Sequence, residues 1–226
     1  MSMDRSNLGR PASKPSQGRY GVYSAMVVDN KDPQAQGRLK VLFEGQESWA
    51  RLATLMAGNN RGSWFIPEVN DEVLVAFEGG DVQRPYVIGA LWNSRDMPPE
   101  SMDAAGNNDH KVLRSRNGVR ITLDDQDGQE KFMVETPGVQ RITMRDGPSS
   151  ILIEDSNGNS IKLESDGVTV TASSKIVINA TAVEVSSGMV IVNAGMSKFS
   201  GVVQCDSLIS NSVISASYSP GAGNIM

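Results

Sequence analysis

Six pairs of apolar residues, most of them β-branched, recur between positions 151 and 192: Ile151 and Ile153, Ile161 and Leu163, Val168 and Val170, Ile176 and Ile178, Val183 and Val185, Val190 and Val192. Within each pair the spacing is i, i+2, so both side chains point to one face of an extended chain. The residues between pairs are Asn, Gly, Asp, Ser and Lys, which suit turns and solvent. The pattern predicts very short strands forming a ribbon with a single apolar face. A repeat that cannot bury its own apolar face must stack on its neighbours or on another chain. A single-chain β-helix would need coils of about twenty residues or more. A triple-stranded β-helix, in which three identical chains wind around one axis, fits steps of seven or eight residues better. In that arrangement each strand meets its equivalents from the other two chains, and the twelve residues named form the trimer core. Burying one Val or Ile fully contributes roughly 1.5 to 3 kcal/mol, so the needle is stable only as a trimer.

The first half of the chain reads differently. Residues 18–95 hold nine of the twelve aromatic residues, on alternating strands separated by polar turns. Tyr20 to Val28, Arg38 to Phe43 and Trp49 to Leu55 are three predicted strands, with Asp29 to Pro33 as a turn. Val73, Val75 and Phe77 line one face of a fourth, and Tyr86, Ile88 and Ala90 repeat the alternation in a fifth. Gly79-Gly80-Asp81 supplies the turn between them, and Pro85 sits at a strand start, where its missing N–H does least harm. Five short strands in under eighty residues suit a small barrel that closes its own edges. Residues 1–17 are polar and broken by Pro11 and Pro15, a flexible N-terminal arm that could order on a neighbouring subunit. Residues 96–110 are rich in Pro, Gly, Asn and acids and read as a linker, leaving 111–226 for the needle.

Composition narrows the function. A net charge of −5 gives no bulk attraction to nucleic acid. Residues 18–95 carry eight Lys or Arg against nine Asp or Glu, so there is no basic excess to neutralise phosphates. Cys205 is the only cysteine and reads as a small buried hydrophobe, with no disulfide or cysteine-held metal. His110 is the only histidine and falls in the linker, and no Gly-x-Ser-x-Gly elbow is present to make a catalytic triad. Asp124, Asp125, Asp127 and Glu130 lack the alternation of a calcium loop and read as a charged turn. No catalytic, cofactor or metal residue is assigned, and the chain is expected not to be an enzyme. With neither a signal segment nor an apolar run of eighteen residues, it is expected to fold in the cytoplasm.

Ile66-Pro67, Asp71 to Val75, Phe77, Gly80-Asp81, Arg84-Pro85, Val87, Gly89 and Asn93 resemble, in order and spacing, the OB-fold signature of contractile-tail spike proteins. That family includes phage baseplate assembly protein V and the VgrG spikes of type VI secretion. Gly37 to Val41 and Ser48 to Leu52 are similar to its preceding strands. Ser115 to Gly118, Ile121 to Asp125, Gly128 to Glu130 and Thr136 to Gly138 resemble the segment where such spikes enter their β-helix. The resemblance implies an all-β chain: an N-terminal OB-fold barrel followed by an intertwined homotrimeric, triple-stranded β-helix needle. It implies the central spike of a phage tail or phage-derived injection machine, assembled in the cytoplasm and delivered across the target envelope. The barrel would dock on a baseplate hub protein, and the needle would contact the target membrane transiently.

The chain departs from that pattern in three places. The strict eight-residue valine and glycine repeat of VgrG is absent. Only seventeen residues precede the barrel, so the hub is expected to be a separate chain, and a fifteen-residue linker cannot hold a lysozyme domain. No histidine follows His110 to hold a tip iron. Ser219 to Asn224 cannot continue the strands, so the needle is expected to stop near Tyr218, with Tyr218, Ser219 and Pro220 meeting a separate tip-capping protein. Two other readings stay open. A trimeric receptor-binding fibre would carry an aromatic or charged knob at its end, and the last fifty residues are mostly Ser, Val, Ala and Ile. An OB-fold oligonucleotide binder would need the basic groove that the charge count does not provide.

Overall fold

A computed structural model describes residues 18–216. The expectations for the N-terminal arm and for Tyr218, Ser219 and Pro220 lie outside the described residues. The chain divides into two units, one through Ile176 and one from Val177. Every regular element of the first unit is a strand, apart from a 3-10 turn at Glu78–Gly80.

Five strands close a barrel: β1 (Val22–Asp29), β2 (Leu39–Phe43), β3 (Gln46–Leu52), β6 (Glu72–Phe77) and β7 (Pro85–Ala90), ordered β1-β2-β3-β7-β6 with β6 returning to β1. A two-stranded hairpin, β4 (Ala57–Gly58) and β5 (Arg61–Gly62), stands between β3 and β6. The parallel contact of β3 with β7, Arg51 against Tyr86 and Leu52 against Val87, joins the β1–β2–β3 meander to the β6–β7 hairpin. Closure turns one face of each strand inward; in β7 this is the face of Pro85 and Val87, not the expected face of Tyr86, Ile88 and Ala90, where Ile88 is 44% exposed. Val27, Leu39, Ala50, Val73, Val75 and Val87 have no exposed surface, and the rings of Tyr23, Phe43 and Phe77 tilt against one another at 5.1 to 5.7 Å.

Turn chemistry fixes the barrel's corners. Asp32 accepts the backbone N–H groups of Gln34, Gln36 and Arg38 and the Arg38 guanidinium at 2.7 Å. The Arg38 pairing holds its carboxyl far below the usual range, and the backbone donors add to the effect. Gly80 follows the same logic of space. Its φ is +79°, and a Cβ there would stand 3.0 Å from the backbone of Gly18 and Arg19. The carbonyl of Gly80 accepts from Arg19 N–H at 2.9 Å, which seats the incoming chain on the barrel.

Seven five-residue strands follow: β8 (His110–Arg114), β9 (Arg120–Asp124), β10 (Lys131–Glu135), β11 (Arg141–Arg145), β12 (Ser150–Glu154), β13 (Ser160–Glu164) and β14 (Gly167–Thr171). They form one antiparallel meander in sequence order. Each of the six turns holds a dipeptide ending in glycine: Asn117-Gly118, Asp127-Gly128, Pro137-Gly138, Asp146-Gly147, Asn157-Gly158 and Asp166-Gly167. Asx-Gly pairs favour tight reversal, so the chain folds back at each one. Ile151, Ile153, Ile161, Leu163, Val168 and Val170, expected in the trimer core, lie on the last three of these strands. Their strands take backbone partners from the same chain, β12 on β13 and β13 on β14, not from equivalents in two other chains. The linker also ends sooner than expected, because His110 is the first residue of β8.

No Asn-Gly or Asp-Gly follows between 172 and 216, and no strand of that stretch pairs with another among the described residues.

Candidate functional site

The register of the seven-stranded sheet aligns its apolar residues into two rows on one face. One row runs Leu113, Ile121, Val134, Ile142, Ile153, Ile161, Val170. The second runs Leu123, Phe132, Met144, Ile151, Leu163, Val168. Cross-strand neighbours of this kind stabilise one another at the sheet surface, yet among the described residues eleven of the thirteen stay exposed, Ile121 and Val134 being half-buried. Ile151, Ile153, Ile161 and Leu163 are each about 40% exposed, and Val168 66%. Between the first row and the start of the next segment lies a groove of about 670 Å³, lined by Val134, Ile142, Ile153, Ile161, Val170 and Ile176.

The opposite face carries the polar residues, and there most charges are paired, although the buried Nε of Arg145 has no hydrogen-bond partner among the described residues. Arg141 sits between Glu154 at 3.0 Å and Glu135 at 3.4 Å. Lys131 Nζ lies 2.9 Å from Asp124, and Arg120 pairs with Glu100. Thr122 and Asp124 are buried while Leu123, between them, is nearly half exposed. The Lys131 ammonium, with help from the Gln126 N–H, holds the Asp124 carboxyl below its usual range. His110 stands between two carboxylates, 3.6 Å from Asp124 and 3.8 Å from Glu100. A sheet that pairs most of its charges on one face and leaves most of two apolar rows exposed on the other has its hydrophobic face turned outward.

Two stretches of the chain match known families. Residues 23–92 match the type VI secretion system/phage-baseplate injector OB domain, and residues 131–196 match the phage baseplate V C-terminal trimerisation domain, together more than half of the chain. The chain belongs to the baseplate V and VgrG-like spike family. Among its relatives is the type VI secretion system spike protein VgrG1c of Pseudomonas aeruginosa, 28% identical over 148 residues, covering 57% of this chain and 20% of the relative. VgrG4b of the same organism is 33% identical over 143 residues, 55% of this chain and 18% of the relative. VgrG3 of Vibrio cholerae is 29% identical over 149 residues, 55% of this chain and 14% of the relative. The chain thus spans about a fifth or less of the length of these spike proteins.

The trimerisation match covers the two rows from Phe132 onward. Six of the twelve sequence-predicted core residues, Ile151 through Val170, lie on the uncovered face. The other six, Ile176, Ile178, Val183, Val185, Val190 and Val192, are 59 to 68% exposed on the stretch that has no strand partner among the described residues. Sequence reasoning missed Leu113, Ile121, Leu123, Phe132, Val134, Ile142 and Met144, which extend the same two rows. Their i, i+2 signal was present, but Phe and Met break the β-branched run that marked the later pairs. Cys205, expected to be buried, is exposed in the single chain, as are its neighbours.

Proposed function

We propose that this chain is the structural spike of a contractile tail or injection-system baseplate. Three copies bring their two-row sheet faces together around one axis, so that apolar rows exposed in a single chain become the dry interior of a prism and the ion-paired faces turn to solvent. The observation that carries this reading is the inversion of the sheet: ion pairs on one face, and on the other thirteen apolar residues of which eleven are exposed. From Ile176 onward the chains wind around one another and supply one another with backbone partners. The barrels sit at one end and dock on a hub protein, and the needle passes through the target envelope when the sheath contracts. A closed needle of paired strands exposes no sheet edge on the way.

The barrel has a surface suited to docking. Leu55, Met56, Trp64 and Phe65 flank the β4–β5 hairpin and are 54 to 96% exposed. The Trp64 ring lies beside Gly37, where a Cβ would come within 3.5 Å of it. Aromatic anchors of this kind carry much of the energy in protein interfaces.

Light scattering on the purified chain tests the reading. The expected mass is three times 24.2 kDa. A folded monomer at micromolar concentration would overturn it. Pull-down with the hub protein of the same system tests docking: Trp64→Ala with Phe65→Ala should lose hub capture while the trimer mass stays unchanged.

A further inference from the structure

The stretch beyond the sheet changes its step part-way along. The backbone bends at Ser173-Ser174, Thr181, Gly188 and Gly195, about seven residues apart, and then at Ser200-Gly201, Asp206, Asn211 and Ala216, about five apart. The sequence changes with it. Each seven-residue segment carries two apolar residues at i, i+2: Ile176 and Ile178, Val183 and Val185, Val190 and Val192. Each five-residue segment has an apolar residue in its third position, Val203, Leu208 and Val213, but two residues on stand Cys205, Ser210 and Ser215 in place of a second aliphatic side chain. The change falls where the family match ends, at Met196.

Exposure separates the two sides of the five-residue segments. Val203, Leu208 and Val213 are 60, 74 and 61% exposed, whereas Val202, Ile209 and Ile214 are 96, 99 and 98% exposed. A chain that coils about an axis shelters its inward side chains with its own successive segments and leaves its outward ones bare. The third position of each five-residue segment therefore faces the axis.

We infer that residues 201–216 form a second, narrower trimeric section whose interior is a single column of Val203, Leu208 and Val213 from three copies of the chain. The inference rests on the trimeric reading above. Its occupants are two further copies of this chain, because the section continues directly from a stretch matched to a trimerisation domain. In a three-chain winding each side of the triangular section is one segment. At about 3.3 Å per residue a seven-residue side spans roughly 23 Å and a five-residue side roughly 17 Å. Three chains then place six apolar side chains in each layer of the wider part and three in each layer of the narrower. The shorter perimeter leaves no room for a second column, which accounts for its loss from the sequence. The needle tapers through a change of repeat length.

Cysteine cross-linking in the full chain tests this. In a Cys205→Ser background, Leu208→Cys brings three thiols to the axis and Ile209→Cys puts them on the outside. Mild oxidation with copper phenanthroline should give a strong two-chain band on a non-reducing denaturing gel for Leu208→Cys. Ile209→Cys should give at least about tenfold less, since Cα atoms more than about 7 Å apart cannot be bridged. Val213→Cys repeats the inward case should position 208 disturb assembly. Images of the particle should show the rod narrowing to about seven-tenths of its width beyond residue 200. A trimer of the expected mass in which Ile209→Cys cross-links as well as Leu208→Cys, or in which the rod keeps one width, overturns the narrow section and leaves the trimeric reading standing. A monomer overturns both.

Discussion

The barrel and the seven-stranded sheet are made from the same material and end in opposite states. Both alternate Val, Ile and Leu with polar residues, and both are antiparallel meanders over most of their length. In the barrel Val27, Val73, Val75 and Val87 are fully buried; in the sheet Ile151, Ile153, Ile161 and Leu163 keep about 40% of their surface in water. The difference is one pairing. β3 meets β7 and the barrel rolls its apolar face onto itself, whereas β8 and β14 never meet and the sheet stays open. An amphipathic strand pattern therefore says that a face will be buried, and the closure of the sheet decides whether the same chain buries it.

The largest effect should come from placing charge on the open face. Ile153→Asp would set three carboxylates near one axis without partners, and an unpaired buried charge costs several kcal/mol per ion. The trimer should dissociate at micromolar concentration, read by sedimentation. Trp49, Trp64 and Trp92, the only tryptophans, all lie in 18–95, so their fluorescence reports the barrel alone and should keep its folded spectrum. If Ile153→Asp remains trimeric with unchanged thermal stability, the open face is not the interface. Val183→Asp makes the same test beyond the sheet, where no strand among the described residues pairs with the segment.

The converse change sharpens the comparison from the barrel side. Val75→Ala leaves a cavity in a closed core and should destabilise the barrel by roughly 1 to 3 kcal/mol, seen as a lower denaturant midpoint of tryptophan fluorescence. The trimer mass should not change. Loss of assembly in Val75→Ala would mean that the barrel, and not the sheet, holds the three chains together.

How far each region could be read from sequence follows the same division. The five barrel strands were legible to within a few residues, because alternation and turn residues agree there: Val73, Val75 and Phe77 lead into Gly79-Gly80, and Pro85 opens the next strand. The β4–β5 hairpin was not, since two residues per strand carry no period. In the second half the apolar pairs showed which residues share a face but not which chain supplies the hydrogen bonds. The step from Ile161 to Val168 is seven residues and so is the step from Ile176 to Val183, yet the first spans a hairpin and the second does not. What separates them is Asp166-Gly167 against Asn179-Ala180: a dipeptide that reverses the chain, and one that lets it run on. The spacing was read, and the turn chemistry that decides its meaning was not.

The smallest effect concerns one of those turns. Between β12 and β13 the Asp155 carboxylate accepts the backbone N–H groups of Asn157 and Asn159, both at 2.9 Å, and the side-chain amides of Asn159 at 2.7 Å and Asn157 at 3.2 Å. The Asn159 amide and the other donors lower its pKa to about 2. A folded-state pKa below the unfolded value means that the charged turn adds stability at and above the ordinary carboxylate range, and that this stability fades as pH falls from about 4 through about 2. Asp155→Asn keeps one acceptor oxygen and removes the charge, so it should loosen the turn at neutral pH. Because the turn is exposed, the loss should be modest, visible as faster amide exchange at residues 157–160 and not as loss of the trimer. The gap between the two proteins should narrow as pH falls through about 2, where the native Asp155 itself takes up a proton. A gap that stays constant across that range would show that the reversal is held by Asn157-Gly158 alone, and that the charge on Asp155 has no part in deciding where this chain turns back on itself.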